Sequence, residues 1–339
     1  MKKIRITGKK QSEIVEIPFP HAIKDWALVK IMVAPMCTEY KDYLAGNRCE
    51  CLGHEAAGEV IDVAGEGGIR TGDRVVVMPQ YPCGECDLCR AGDYIYCENV
   101  VDFPGYTGSR IGSETYAQYI LKPAWLLPKI PDDMSYEHAG MLCCGLGPAF
   151  GAMEQMGTKS SHTIMITGLG PVGLGGVING VSRGARVIGV SRNKYRNELA
   201  KELGAEIILD PGEPGVLEKI MEITEGKGVD MSVECAGAEP AQQLCLNATR
   251  RRGQVAFVGE SGGLTVEVSD QLIRKGLILH GIWHYNLKHI PALFEIAGKH
   301  ASLLDKMITH SFPLGQVEDA WELQSSGKCG KVLLYPWKK

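Results

Sequence analysis

The sequence predicts a two-part α/β chain: a β-rich, barrel-like first part followed by a doubly wound parallel sheet. Three observations carry this reading. Residues 1 to about 150 hold short apolar runs separated by Gly, Pro and Asp. From about residue 162, short β-branched runs alternate with helical stretches, the pitch of β-α units. A glycine turn of the form G-x-G-x-x-G follows the first of those runs and opens a helix.

The elements follow in order. Runs 27–33, 57–63 and 74–78 read as strands of the first part, with turns at 64–68 (AGEGG) and at Gly72-Asp73. Thr163–Thr167 (TIMIT) opens the second part, and a helical stretch runs to about Ser182. Arg186–Val190 reads as a strand, and 194–203 as a helix stopped by Gly204. Ile207–Leu209, 230–234 and 254–258 continue as strands. A helix is expected at 289–298 and a last strand at Lys331–Tyr335.

Composition narrows the function classes. Lys+Arg is 36 and Asp+Glu is 40, a formal net charge of −4. This balance argues against a general nucleic-acid or anionic-membrane binder. Hydrophobic residues at 45% and charged at 22% exclude a disordered chain. No apolar run reaches the ~18 residues of a membrane span. The basic start MKKIRITGKK is not followed by an apolar stretch, so no export signal is expected. Twelve cysteines in such a chain point to a reducing, cytoplasmic setting. There, clustered cysteines bind metal or do chemistry more often than they form disulfides.

Gly168-Leu169-Gly170-Pro171-Val172-Gly173 has the context that gives its pattern meaning. The first Gly permits the tight turn, the second lets backbone approach a pyrophosphate, and the third lets helix and strand pack closely. The helix N-terminus offers N–H groups and partial positive charge to phosphates. An Asp or Glu at the end of the second strand would hold the ribose 2′-OH of NAD. Here Ser191 and Arg192 stand there, with Arg196 behind. A hydroxyl and two guanidinium groups suit a 2′-phosphate, so NADP is favoured over NAD. The plainer reading of these cations is a solvated helix start.

Cys83, Cys86, Cys89 and Cys97 form C-x2-C-x2-C-x7-C on one short loop. Four thiolates at this spacing can surround zinc tetrahedrally, a closed structural site. The alternative is a redox dithiol. Cys37, Gly53-His54-Glu55 and Cys144 are sparser; singly, each reads as a packed core residue.

Taken together, Cys37, GHE at 53–55, GDRV at 72–75, the four-cysteine loop, GLGPVG at 168–173, VECAG at 233–237 and SGKCGKVLLYP at 326–336 resemble the zinc-dependent medium-chain alcohol and polyol dehydrogenases. The likeness spans nearly the whole chain. It implies a GroES-like catalytic domain over 1–150, to which 287–339 returns, and a Rossmann domain over 151–286. It implies that Cys37 and His54 are catalytic zinc ligands, with Glu55 the neighbouring acid. The third ligand is implied within MLCCGLGPAFGA, where Cys144 is in register and Cys143 is the lesser candidate. Two zinc ions per chain are implied, as are a homodimer or homotetramer and a small alcohol or carbonyl substrate.

The implied reaction is hydride transfer from a substrate alcohol to the nicotinamide of NADP, with zinc acidifying the hydroxyl at its open position. Relatives place Ser or Thr two residues after the Cys ligand, and often His five after it, as a proton relay. Here those positions are Glu39 and Asp42. The expectation drawn from this departure is that Glu39 accepts the substrate proton directly. Only 16 residues separate Cys37 from His54, a short segment that would either open the substrate cleft to a larger molecule or simply be a tighter loop. Competing readings are an NAD-dependent polyol dehydrogenase, a nucleotide-binding member without metal catalysis, a zinc-free quinone or enoyl reductase, and a zinc-ribbon interaction module.

Overall fold

The computed structural model describes residues 1–65 and 68–338; Glu66 and Gly67 of the 64–68 turn lie outside the described residues. The chain divides into two units. The first comprises Met1–Cys144, Asn286–Gly298 and Ile308–Lys339, and the second Gly145–Tyr285 and Lys299–Met307.

The first unit is built on the strand Trp26–Pro35, whose apolar run WALVKIMVAP is buried along nearly all its length. Its sheet runs Ile308–Pro313, Lys331–Tyr335, Trp26–Pro35, Ala56–Val63, Arg74–Val77. The first pair is parallel and the rest antiparallel. Tyr119–Pro123 also pairs with Trp26–Pro35. Ile31, Val60, Val77, Tyr116 and Trp321 meet in the core beneath it. Removing such side chains from water supplies roughly 1.5–3 kcal/mol each for the aliphatic ones.

Register explains how distant residues meet. Val33 pairs with Ala57, so Pro35 ends one strand beside the start of the other at Ala56. Cys37 lies two residues past the first strand and His54 two before the second. The last strand adds Lys331 to the same edge, since Leu333 pairs with Pro35.

The second unit is the expected doubly wound sheet. Its order is Ile278–Gly281, Thr249–Phe257, Val229–Glu234, Thr163–Thr167, Arg186–Val190, Ile207–Leu209, all parallel. Strand order reverses between Thr163–Thr167 and Val229–Glu234, and ligands bind at such a switch point. The strand Ile278–Gly281 was not foreseen. It is four residues long, and its half-exposed edge position leaves no apolar alternation to read.

The division falls at Cys144/Gly145 rather than at the expected 150/151. The helix Gly147–Gln155 packs on Pro171–Ser182, where a side chain on Gly175 would strike the Gly145 carbonyl. Among the described residues no helix is long and apolar enough to cross a membrane.

Candidate functional site

The four-cysteine loop closes on itself. The Sγ atoms of Cys83, Cys86, Cys89 and Cys97 all lie within 4.8 Å of one another. Cys83 is 4.0 Å from Cys89 and 3.5 Å from Cys97, and Cys86 is 3.9 Å from Cys97. A tetrahedral zinc with bonds of ~2.3 Å requires sulfur separations of about 3.8 Å, so the donor set fits that ion. Backbone N–H groups of Cys83 and Asn99 donate to the Cys97 sulfur, and that of Cys86 to the Cys83 sulfur. Such donors favour thiolates over thiols. None of the twelve cysteines is joined in a disulfide.

The second cluster brings together Cys37, His54, Glu55 and Cys144, whose donor atoms also lie within 4.8 Å of one another. His54 Nε2 is 3.2 Å from the Cys144 sulfur. Two thiols and an imidazole form a donor set that suits zinc. Backbone geometry separates the two adjacent cysteines. Cys143 breaks the helical path at φ −61°, ψ −134°, and its sulfur faces the Val77 carbonyl. Cys144 alone is aimed into the cluster.

Glu39 stands behind His54. Its Oε1 lies 3.0 Å from His54 Nδ1, and its Oε2 accepts from the Tyr116 hydroxyl at 2.9 Å and the Cys37 N–H at 3.1 Å. Burial pushes the Glu39 carboxyl up, but His54, its own backbone N–H and Tyr116 outweigh this and hold it down at about 2. The expectation that Glu39 accepts the substrate proton meets a carboxylate that lies behind His54, a placement that also suits holding the ring. Both oxygens are engaged in holding His54, Tyr116 and the Cys37 backbone. The arrangement is the carboxylate–histidine pair that fixes ring orientation and tautomer at metal sites. Asp42 sits in the helix Tyr40–Ala45 and accepts from the Asn47 amide.

Glu55 is fully buried and is neutralised by an equally buried cation. Lys331 Nζ lies 2.7 Å from Oε1 and 2.9 Å from Oε2, and the Cys144 N–H donates to Oε2 at 3.0 Å. Burial opposes the Lys331 charge, but Glu55 with Cys37 and Cys144 raises its pKa above the ordinary lysine value. Burial likewise pushes Glu55 up, to about 7, against the pull of Lys331. Sequence reasoning missed both Lys331 and Tyr116. A lone lysine opening the apolar strand KVLLY was the available signal for the first. Tyr116 is an aromatic in a strand-rich region, and nothing in the sequence marks it.

In the second unit, each glycine of the turn behaves differently. Gly168 has φ +80°, and a Cβ there would lie 2.6 Å from the Ala236 backbone. A Cβ on Gly173 would strike the Gly168 carbonyl at 2.0 Å. Gly170 faces open space except for Arg196 Nη1 at 3.9 Å from an ideal Cβ, which leaves room for a phosphate. Gly170 caps the helix, with Pro171 and Val172 as its first residues. A cavity of about 740 Å³ opens beside it, lined by Gly168, Ser191 and Arg192 with Pro211, Val216 and Ala238. Ser191 Oγ accepts from the Asn193 N–H, and Asn193 caps the helix carrying Arg196.

Comparison with known proteins agrees with this architecture. Residues 23–132 match the alcohol dehydrogenase GroES-like domain, and residues 171–298 the zinc-binding dehydrogenase domain. The chain is 32% identical to the L-threonine 3-dehydrogenase of Pyrococcus horikoshii, covering 95% of this chain and 94% of that protein. It is also 32% identical to the sorbitol dehydrogenase of Bacillus subtilis, over 99% and 97% of the two chains. The solved alcohol dehydrogenase of Thermus sp. ATN1 superposes with a TM-score of 0.89 at 24% identity, over 99% of each chain. These names are those of zinc-binding alcohol, threonine and polyol dehydrogenases, which supports zinc and a nicotinamide cofactor for an oxidoreductase. Both halves of the chain and its near full-length relatives lead to one assignment: it belongs to the zinc-dependent medium-chain dehydrogenase family.

Proposed function

We propose that this chain is an NADP-dependent oxidoreductase acting on a secondary alcohol, polyol or sugar-like substrate at a zinc held by Cys37, His54 and Cys144, with Glu55 alongside. The observation that supports it most is the convergence of these four donors within 4.8 Å from positions spread over 108 residues of sequence. Bound there, zinc supplies a Lewis acid that lowers the pKa of a substrate hydroxyl. Cys37, His54 and Cys144 provide three protein donors, the number that leaves one position for substrate. Glu39 holds the His54 ring with Nε2 toward the cluster. Lys331 offsets the Glu55 charge, so the cluster is not overloaded with anions. The four-cysteine loop is the proposed second zinc site and is structural.

On the cofactor side, Gly168, Gly170, Pro171, Val172 and Gly173 form the pyrophosphate turn. Ser191, Arg192 and Arg196 stand where a carboxylate would select NAD, and their chemistry suits a 2′-phosphate. The nicotinamide supplies the hydride acceptor.

The test is a set of initial rates on zinc-replete protein with NADP+ and NAD+ against secondary alcohols, polyols, sugars and cyclitols. Turnover of a polyol or cyclitol with NADP+ preferred is the expected outcome. A clear NAD+ preference overturns the cofactor assignment alone. No turnover together with a single zinc per chain overturns the catalytic reading.

A further inference from the structure

The second unit carries a concentration of cations at the edge of the sheet opposite the glycine turn. Val229 pairs with Thr249 but Met231 pairs with Gln254, so four residues, Arg250 to Gly253, loop out between those partners. Arg252 holds φ +60° there, a left-handed conformation that costs a non-glycine residue about 1 kcal/mol or more. The loop therefore presents three consecutive arginines at the start of a parallel strand, against both charge repulsion and backbone preference.

Beside it lies a cavity of about 480 Å³ whose lining includes Lys227, Asn247, Thr249, Arg250, Arg251 and Lys275. Among the described residues, no carboxylate lines it. Arg250 is balanced by Asp230, with Nε to Oδ1 at 2.7 Å, and the other Asp230 oxygen accepts from the Thr163 N–H. The Lys227–Glu225 pair is largely exposed and contributes little. Lys275 Nζ donates to the carbonyls of Leu246 and Asn247 at 2.6 and 2.9 Å, at the C-terminal end of the helix Glu239–Ala248. That leaves one ammonium N–H. Arg251 gives one donor to the Arg274 carbonyl and keeps the rest of its fork. Burial, with Arg251 adding to it, lowers Lys275 to about 8, the mark of a cation lacking a counter-charge.

We propose that this cavity is a binding site for a small phosphorylated anion, a phosphomonoester or oligophosphate, held by Arg251, Lys275 and Lys227. An anion there would relieve the repulsion, and a phosphate matches both the guanidinium fork and the point charges. The site is separate from the glycine turn, which lies at the other end of these strands. Asn247, at the end of the helix Glu239–Ala248, lines both cavities.

The experiment is calorimetric titration of the full-length, zinc-replete protein with pyrophosphate and inorganic phosphate, in saturating NADP+ so that the cofactor groove is filled, with ³¹P NMR as second readout. The expected result is one saturable pyrophosphate site per chain that weakens steeply with salt. Arg251→Ala should weaken it at least tenfold, Arg251→Glu should abolish it, and Arg251→Lys should restore part. Arg274→Ala, whose guanidinium pairs with Asp270, should leave it intact. Equal thermal unfolding of the variants checks that folding is unchanged. Pyrophosphate binding that is seen without NADP+ but absent in saturating NADP+, equal binding by wild type and Arg251→Glu, or no saturable binding would each overturn the proposal. So would binding of a single-stranded oligonucleotide when pyrophosphate does not bind.

Discussion

Glu39 and His54 form a carboxylate–imidazole pair, with Oε1 3.0 Å from Nδ1, in which the acid sits behind the ring rather than in front of a substrate. The pair predicts that Glu39→Gln lowers zinc affinity about 10–100-fold, read by competition with a chelator. Refilled with zinc, the variant should keep the pH profile of the wild type. If zinc affinity is unchanged and one limb of the profile disappears, Glu39 is the proton acceptor after all.

Lys331 and Glu55 should behave as a coupled unit. Lys331→Met leaves a buried carboxylate unpaired and should cost about 3–5 kcal/mol in urea unfolding. Glu55→Gln combined with Lys331→Met should recover more than half of that loss. Additive losses would show that the two side chains do not act on each other.

What the sequence revealed and what it hid divide along physical lines. Thr163–Thr167 and Arg186–Val190 were readable residue for residue, because buried parallel strands are short β-branched runs bounded by turns, and the half-buried edge strand Ile207–Leu209 was readable from its short apolar run. The four cysteines were readable because their spacing is local. The Cys37–His54–Cys144 cluster depends on strand register and was reached only through resemblance. The partners Tyr116 and Lys331 depend on tertiary placement that no local pattern encodes. The placement of Glu39 has the same origin: its spacing from Cys37 was visible, but its direction toward His54 was not.

The four-cysteine loop predicts a stoichiometry. Cys97→Ser should lower bound zinc by one ion per chain, measured by elemental analysis, while leaving the Cys37 cluster loaded. Unchanged zinc content would mean that the loop holds no metal.

The nucleotide groove predicts a switch of preference. Ser191→Asp places a carboxylate at the end of Arg186–Val190 and should lower kcat/KM for NADP+ about 10–100-fold while sparing or improving NAD+. The Arg192→Ala/Arg196→Ala pair should lower NADP+ use alone. Parallel loss with both cofactors would place these residues outside 2′-phosphate recognition.

The edge of the second sheet predicts self-association. Among the described residues Ile278–Gly281 pairs on one side only, with Thr249–Phe257, and Ile278 and Leu279 are 49% and 38% exposed. An apolar strand edge of this kind is a template for a second copy. Ile278→Lys should shift the sedimentation of the protein toward a single chain. An unchanged sedimentation coefficient would place the contact elsewhere or show that none forms.

The buried ion pair also bears on biosynthesis. Lys331 follows Glu55 by 276 positions, and a ribosome adding 5–20 residues per second needs roughly 15–55 s to cover that distance. For most of that interval the nascent chain already displays Cys37, His54, Glu55 and Cys144, but not the ammonium that offsets the carboxylate. The early segment is thus an anionic, thiol-bearing stretch open to whatever soft metal it meets. Only when the strand Lys331–Tyr335 threads in beside Trp26–Pro35 does the pocket become electrically complete. The charge balance of this pocket is thus completed by one of the last segments of the chain to be made.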